Sequence, residues 1–194
     1  MLAWKQTSKP LLRAKPTRRA LICGAIAALS GCGGGLHGMR RRVGFAVVNT
    51  RLLMHGRIAT RTPAEFADVM VENPQIKTLV LQDMPDVRDA EAAMVLGRMV
   101  RARGLATALQ SDSDISGGAV ALFLAGQQRS MVDGARITVG NWDGITAAYV
   151  REMLGAPVFY QFALRVGAAN PIHTITAQEI SDYGLLTEPV KVWN

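Results

Sequence analysis

The chain has 194 residues, a length suited to one domain, and 49% of them are apolar, which argues for a packed core and against disorder. Its formal charge of +7 is unevenly spread: six of the 22 basic residues and no acid fall in residues 1–31, leaving 16 basic groups against 15 acidic ones in the rest. That near-balance removes charge as an argument for nucleic-acid binding, and no nucleic-acid partner is expected.

Residues 1–31 follow the order of a secretory signal. A basic stretch ends at Arg19, and an apolar run, Ala20 to Leu29, follows. The run is too short for a membrane span, which needs ~20 apolar residues. Leu29-Ser30-Gly31-Cys32 comes next. It resembles the lipobox of bacterial lipoproteins: a branched apolar residue, two small residues, then cysteine. The resemblance implies cleavage before Cys32, acylation of that cysteine, and a lipid bilayer as partner. Several acyl chains per anchor make such attachment stable. Thr17-Arg18-Arg19 also faintly resembles a twin-arginine signal. Gly33 after Cys32, in place of aspartate, resembles enterobacterial sorting to the outer membrane. The expected location is therefore the cell envelope, facing the periplasm. Cys23 would leave with the signal, so the mature domain would hold no disulfide and no thiol nucleophile.

Residues 32–42 read as a tether, glycine-rich at first and then Arg40-Arg41-Arg42, which suits either solvent or anionic headgroups. The folded domain is expected over 43–194. Val43 to Asn49 is a strand candidate. Thr62-Pro63-Ala64-Glu65 predicts a helix start with Thr62 as cap and Glu65 closing a capping box, and Asn73-Pro74 predicts its stop. Lys77 to Gln82 is a buried-type strand, and Asp83 to Arg88 a polar loop. A helix is predicted over 89–103 from the spacing of Ala92, Val95, Leu96 and Met99, ended by Gly104. Leu105 to Leu109 is a strand, Ser111 to Ile115 a loop, and Ser116-Gly117-Gly118 open an apolar helix. Short strands at 129–132 and 136–139 flank the turn Asp133-Gly134. From Trp142 onward the chain reads as mainly helical, with Thr176-Ala177-Gln178-Glu179 as a second capping box. Strand–helix alternation predicts an α/β fold with a largely parallel sheet.

Leu79-Val80-Leu81, the run Gly97 to Thr107, Ser116-Gly117-Gly118 with Leu124-Ala125-Gly126, Gly134 to Val139, and Thr176 to Leu186 together resemble the superfamily of the Clp protease proteolytic subunit and signal peptide peptidase A. The nearest resemblance is to its exported bacterial branch, and it covers about residues 43–190. It implies a ClpP/crotonase-like spiral of strand–strand–helix units, assembly of copies of the chain into rings, and a serine-peptidase site without cofactor.

Such a site needs a serine at a helix start, a base, an orienting acid and an oxyanion hole. Matched to the peptidase A motif, Ser116 is the nucleophile. Matched instead on Leu124-Ala125-Gly126, the nucleophile position falls on Gly117, and Ser116 reads as a helix cap. Ser111 and Ser113 have weaker claims, and no Gly-x-Ser-x-Gly elbow is present. Gly140-Asn141 stands where the Clp-type histidine would follow the strand, and the Clp-type aspartate falls near Ile172. His173, the neighbour of Ile172, is the one rewired base, and an ordinary loop histidine is the competing reading. Lys77 and Lys191 are poorly placed as bases. Gly117 and Gly118 are the oxyanion candidates. The family's Pro-Gly-Gly oxyanion loop is replaced by Met84 to Asp89, where side chains stand in place of glycines. Asp83, Asp86 and Asp89 read as solvated turn residues, and no metal site is expected. The expectation is a scaffold or binding module with degenerate chemistry. An active hydrolase using Ser116 with His173 is the alternative, and a crotonase-type acyl-thioester enzyme ranks last because export would remove its coenzyme A substrates. Phe159, Tyr160, Phe162 and Leu164 suit either core packing or self-association.

Overall fold

The computed structural model describes residues 43–85, 87–170 and 172–192. The signal segment 1–31, Cys32, the tether 32–42 and Asp86 lie outside the described residues.

Five strands lie side by side in sequence order: β1 (Gly44–Val48), β2 (Arg51–His55), β3 (Thr78–Met84), β4 (Ala106–Ser116) and β5 (Arg129–Met131). β6 (Arg136–Thr138) pairs with the far half of β4. β1 and β2 form an antiparallel hairpin, and every later pairing is parallel. Parallel neighbours need a crossover, which α1 (Thr62–Glu72), α2 (Ala90–Ala102) and α3 (Gly118–Phe123) supply. α2 packs between α1 and α3. Leu79 and Leu81 of β3 join Phe66 and Leu96 in the core between sheet and helices, while Thr78 and Val80 point to the opposite face. α3 is buried throughout. α4 (Ala147–Leu154), α5 (Val158–Ala169) and α6 (Ala177–Asp182) complete the chain. Among the described residues, no helix is long and apolar enough to cross a membrane.

Most expected elements are present, and three readings need correction. Arg61, not Thr62, occupies the α1 cap, without a side-chain cap bond, so no Thr62–Glu65 capping box forms. The Thr62 hydroxyl instead accepts from the Ala59 N–H at 3.0 Å. Residues 111–115, expected as a loop, belong to the second half of β4, because β3 pairs with Asp114 and Ile115 on one side and β6 on the other. Ser113 is buried there, its hydroxyl donating to the Leu81 carbonyl at 2.6 Å. β3 also runs two residues further than expected, to Met84, into the supposed polar loop. The second capping box is present: the Thr176 hydroxyl accepts from the Glu179 N–H, and Glu179 accepts from the Thr176 N–H. In α5, Phe159 and Phe162 are buried, Tyr160 is half-buried, and Leu164 is exposed.

Candidate functional site

β4 ends at Ser116, and the chain turns at Gly117 before α3 begins at Gly118. Gly117 has φ 56° and ψ −123°, a combination that a residue with a side chain adopts only under strain. The apex of this strand–turn–helix elbow is thus a glycine. Ser116 is half-buried and sits one place before it. The alignment on Leu124-Ala125-Gly126 puts the nucleophile position on this glycine, and the alignment on Ser116-Gly117-Gly118 puts it on the serine before it.

Two segments close around the elbow, residues 139–140 and the loop that carries Val87. The Gly117 N–H donates to the Val139 carbonyl at 3.1 Å, so one of the two candidate oxyanion donors is already satisfied. Gly140 lies so near that a Cβ on it would meet the Gly117 nitrogen at 2.6 Å and the Ser116 Cβ at 3.2 Å. Over Gly118 lies Val87, whose Cγ2 would stand 2.5 Å from a Cβ placed on that glycine. The loop after β3, which carries glycines in the resembled family, therefore lays a branched side chain against the start of α3.

His173 reaches the region by another route. Residues 173–175 run antiparallel to β6: the Val139 N–H donates to the His173 carbonyl at 2.9 Å, and the Ile175 N–H to the Ile137 carbonyl at 2.8 Å. His173 is thus placed opposite Val139, whose own carbonyl receives the elbow N–H. Its ring Nε2 lies 3.1 and 3.0 Å from the two carboxylate oxygens of Glu179, and its edge meets the Phe162 ring at a centroid distance of 6.1 Å. Burial works to raise the Glu179 pKa, but hydrogen bonds from the Thr176 backbone, His173 and the Thr176 hydroxyl hold it below the ordinary value. No hydrogen bond joins Ser116 to His173 among the described residues. The carboxylate beside His173 is thus that of Glu179, and not of a residue near Ile172. The signal was available: Glu179 closes the capping box six residues after His173, which turns its carboxylate back toward that segment.

The remaining candidates lie elsewhere. Ser111 is exposed. Asp89 caps α2, accepting from the Ala92 N–H at 2.9 Å and the Thr60 hydroxyl at 2.6 Å. Asp83 stands in β3 opposite Asp114. Lys77 precedes β3, and Lys191 pairs with Glu188 at 3.0 Å beyond β5. A groove of about 870 Å³ runs over the sheet face away from the helices, floored by Thr78, Val80, Ala106 and Ala108. A hollow of about 310 Å³ lies beside Gly140, Trp142 and Gly167. Neither is lined by Ser116, Gly117, Gly118 or His173.

No protein-family model matches the sequence, and no curated protein matches it. Solved structures do match in shape. An enoyl-CoA hydratase from Shewanella pealeana superposes with a TM-score of 0.54 at 12% identity, covering 80% of this chain and 69% of its own. One from Thermoplasma volcanium gives 0.53 at 14% identity, covering 78% and 71%. A methylmalonyl CoA decarboxylase gives 0.51 at 11% identity, covering 78% and 68%. At such identities the likeness is one of fold: an α/β chain of crotonase type with a largely parallel sheet.

Proposed function

We propose that this chain is an envelope lipoprotein, held to a bilayer through acylated Cys32, whose crotonase-type domain has lost peptidase chemistry and serves as a scaffold or binding module. The observation that carries the loss of chemistry is the elbow. Its apex is Gly117, with no side chain to attack a carbonyl, and its N–H is spent on Val139. Val87 lies against Gly118, where the second oxyanion donor would need open space. Fold alone does not decide activity, so the occupied elbow weighs more than the kinship in shape. Anchoring is supported by the order of basic flank, apolar run, small residues and cysteine.

One observation favours a second reading, a serine hydrolase using Ser116. His173 is oriented by a carboxylate, as the base of a hydrolytic triad must be. Ser116 would attack once a side-chain movement brought His173 within about 3 Å of its hydroxyl. An acyl-thioester enzyme, as the names of the matching structures would suggest, ranks below both, because an anchored envelope protein is separated from coenzyme A thioesters.

Two measurements test the proposal. The full chain and its Ser116→Ala variant are compared on activated esters and unstructured peptides; equal background rates are expected, and turnover that disappears in the variant would overturn the loss of chemistry. Metabolic labelling with palmitate should mark the wild type and not Cys32→Ser; equal labelling, or none in either, would overturn the anchor.

A further inference from the structure

β1 is the outermost strand, and among the described residues only β2 pairs with it. The direction of its free backbone groups follows from the hairpin. The Thr50 carbonyl accepts from the Lys77 and Thr78 N–H groups, so Thr50 faces β3. Arg51, the next residue, faces β1 and closes the two-residue turn opposite Val48. Alternate residues of an antiparallel ladder bond to the same neighbour. Gly44, Ala46 and Val48 therefore bond to β2, while Phe45 and Val47 aim their N–H and C=O groups outward. Proteins usually blunt such an edge with lysine, proline or a bulge. This one reads Gly-Phe-Ala-Val-Val, pairs in unbroken register, and leaves Val47 39% and Val48 48% exposed.

We propose that β1 pairs with β1 of a second copy of this chain, antiparallel, about a two-fold axis through Ala46. A two-fold contact needs a surface complementary to itself, and this strand is one. About that axis Phe45 stands opposite Val47 of the second copy, and Gly44 opposite Val48. The outward groups of Phe45 and Val47 then meet each other, and both copies set an aromatic side chain against a β-branched one, a favourable cross-strand pair. No charged side chain of the strand is brought into the contact. Axes through Phe45 or Val47 would pair only three of the strand's five residues with their counterparts. The two sheets become one, with α1 of each copy on the same face. A pairing of five residues falls well short of the roughly 1,600 Å² of a standard interface, so the dimer is concentration-dependent. Confinement of anchored copies to one membrane plane would strengthen it; that strengthening, though not the pairing itself, rests on the proposed acylation of Cys32.

The test is a register-specific crosslink in the full chain. Ala46 faces its own copy in a non-hydrogen-bonded pair, at a Cα separation of about 4.5 Å, within the ~4.4–6.8 Å that a disulfide spans. Under mild oxidation, Ala46→Cys is expected to form a disulfide-linked dimer at least fivefold above the wild type, which controls for Cys23 and Cys32. Val48→Cys is expected to stay at the wild-type level, because the two Val48 positions are about four residues apart along the pairing. Adding Val47→Pro to Ala46→Cys removes an outward N–H without taking one from β2, and should abolish the crosslink while far-ultraviolet circular dichroism stays unchanged. A folded Ala46→Cys chain that remains monomeric would overturn the pairing. So would equal crosslinking of Val48→Cys, or a crosslink in membranes solely to a different protein.

Discussion

Gly140→Ala tests the packing around the elbow. The residue has φ +64°, and an alanine there accepts left-handed strain of roughly 1–2 kcal/mol. Its methyl would also meet backbone: the Gly117 nitrogen at 2.6 Å and its Cα at 3.0 Å. No rotamer relieves a contact made by Cβ, so the turn must move away from β6. That movement breaks the Gly117 N–H bond to Val139, a buried donor whose loss costs about 1–3 kcal/mol. Against these stands a gain of about 0.4–1 kcal/mol from a stiffer unfolded chain. The net expectation is a loss of about 1–5 kcal/mol, a large part of the roughly 5–15 kcal/mol of a typical domain. Gly155→Ala is the matched control. It has φ +82° with nothing within 4 Å of the added carbon, so it carries the strain without the contact. Urea unfolding of both variants measures the difference, read as midpoint shifts at constant slope. A Gly140→Ala shift no larger than that of Gly155→Ala would refute the close approach of Gly140, just beyond β6, to the elbow.

Three further outcomes are expected. Arg129 is 8% exposed and donates to the carbonyls of Gly126, Gly184 and Leu185; an ammonium cannot reach all three, so Arg129→Lys should cost roughly 2–4 kcal/mol and speed hydrogen exchange at the Gly184 turn, and unchanged exchange would count against this clamp. Asp89→Ala removes the α2 cap and should lower stability by about 0.5–2 kcal/mol, with unchanged stability contradicting the cap. The third concerns acid. The Thr60 hydroxyl and the Ala92 N–H hold the Asp89 pKa below its ordinary value, and Glu179 is likewise lowered despite its burial. A lowered carboxylate contributes stability that is complete above its unfolded value and is lost as pH falls through the folded one. The urea midpoint should therefore drop below about pH 4.5, less steeply in Asp89→Ala, and a midpoint flat from pH 5 to 3 would contradict it.

The fold was legible wherever one face of an element met one environment. Leu79-Val80-Leu81 announced a buried strand, and the spacing of Ala92, Val95, Leu96 and Met99 announced α2, although only Ala92 and Leu96 of those four are buried: Val95 is exposed and Met99 half-buried, and Val100 completes the stripe. β2 was missed because Arg51 and His55 bound a run of only three apolar residues, although Leu52 and Met54 alternate inward as a strand requires. The second half of β4 was misread because Ser-Asp-Ser-Asp has loop composition. Pairing to β3 and β6 holds it extended, which is tertiary context overriding local preference. At the site, the sharp turn at Gly117 was hidden because a glycine's backbone angles are not written in its neighbours. The Glu179 partner of His173 was hidden because a capping residue was assigned only its local role.

Treatment of the full chain with a fluorophosphonate separates the proposed loss of acyl chemistry at the elbow from a working serine. Intact mass and peptide mapping would be read for the wild type, Ser116→Ala and His173→Ala, each checked for folding by circular dichroism. An unmodified Ser116 in well-folded wild type is the predicted result. An adduct on Ser116 that disappears in both variants would show a working serine–histidine pair and contradict the account.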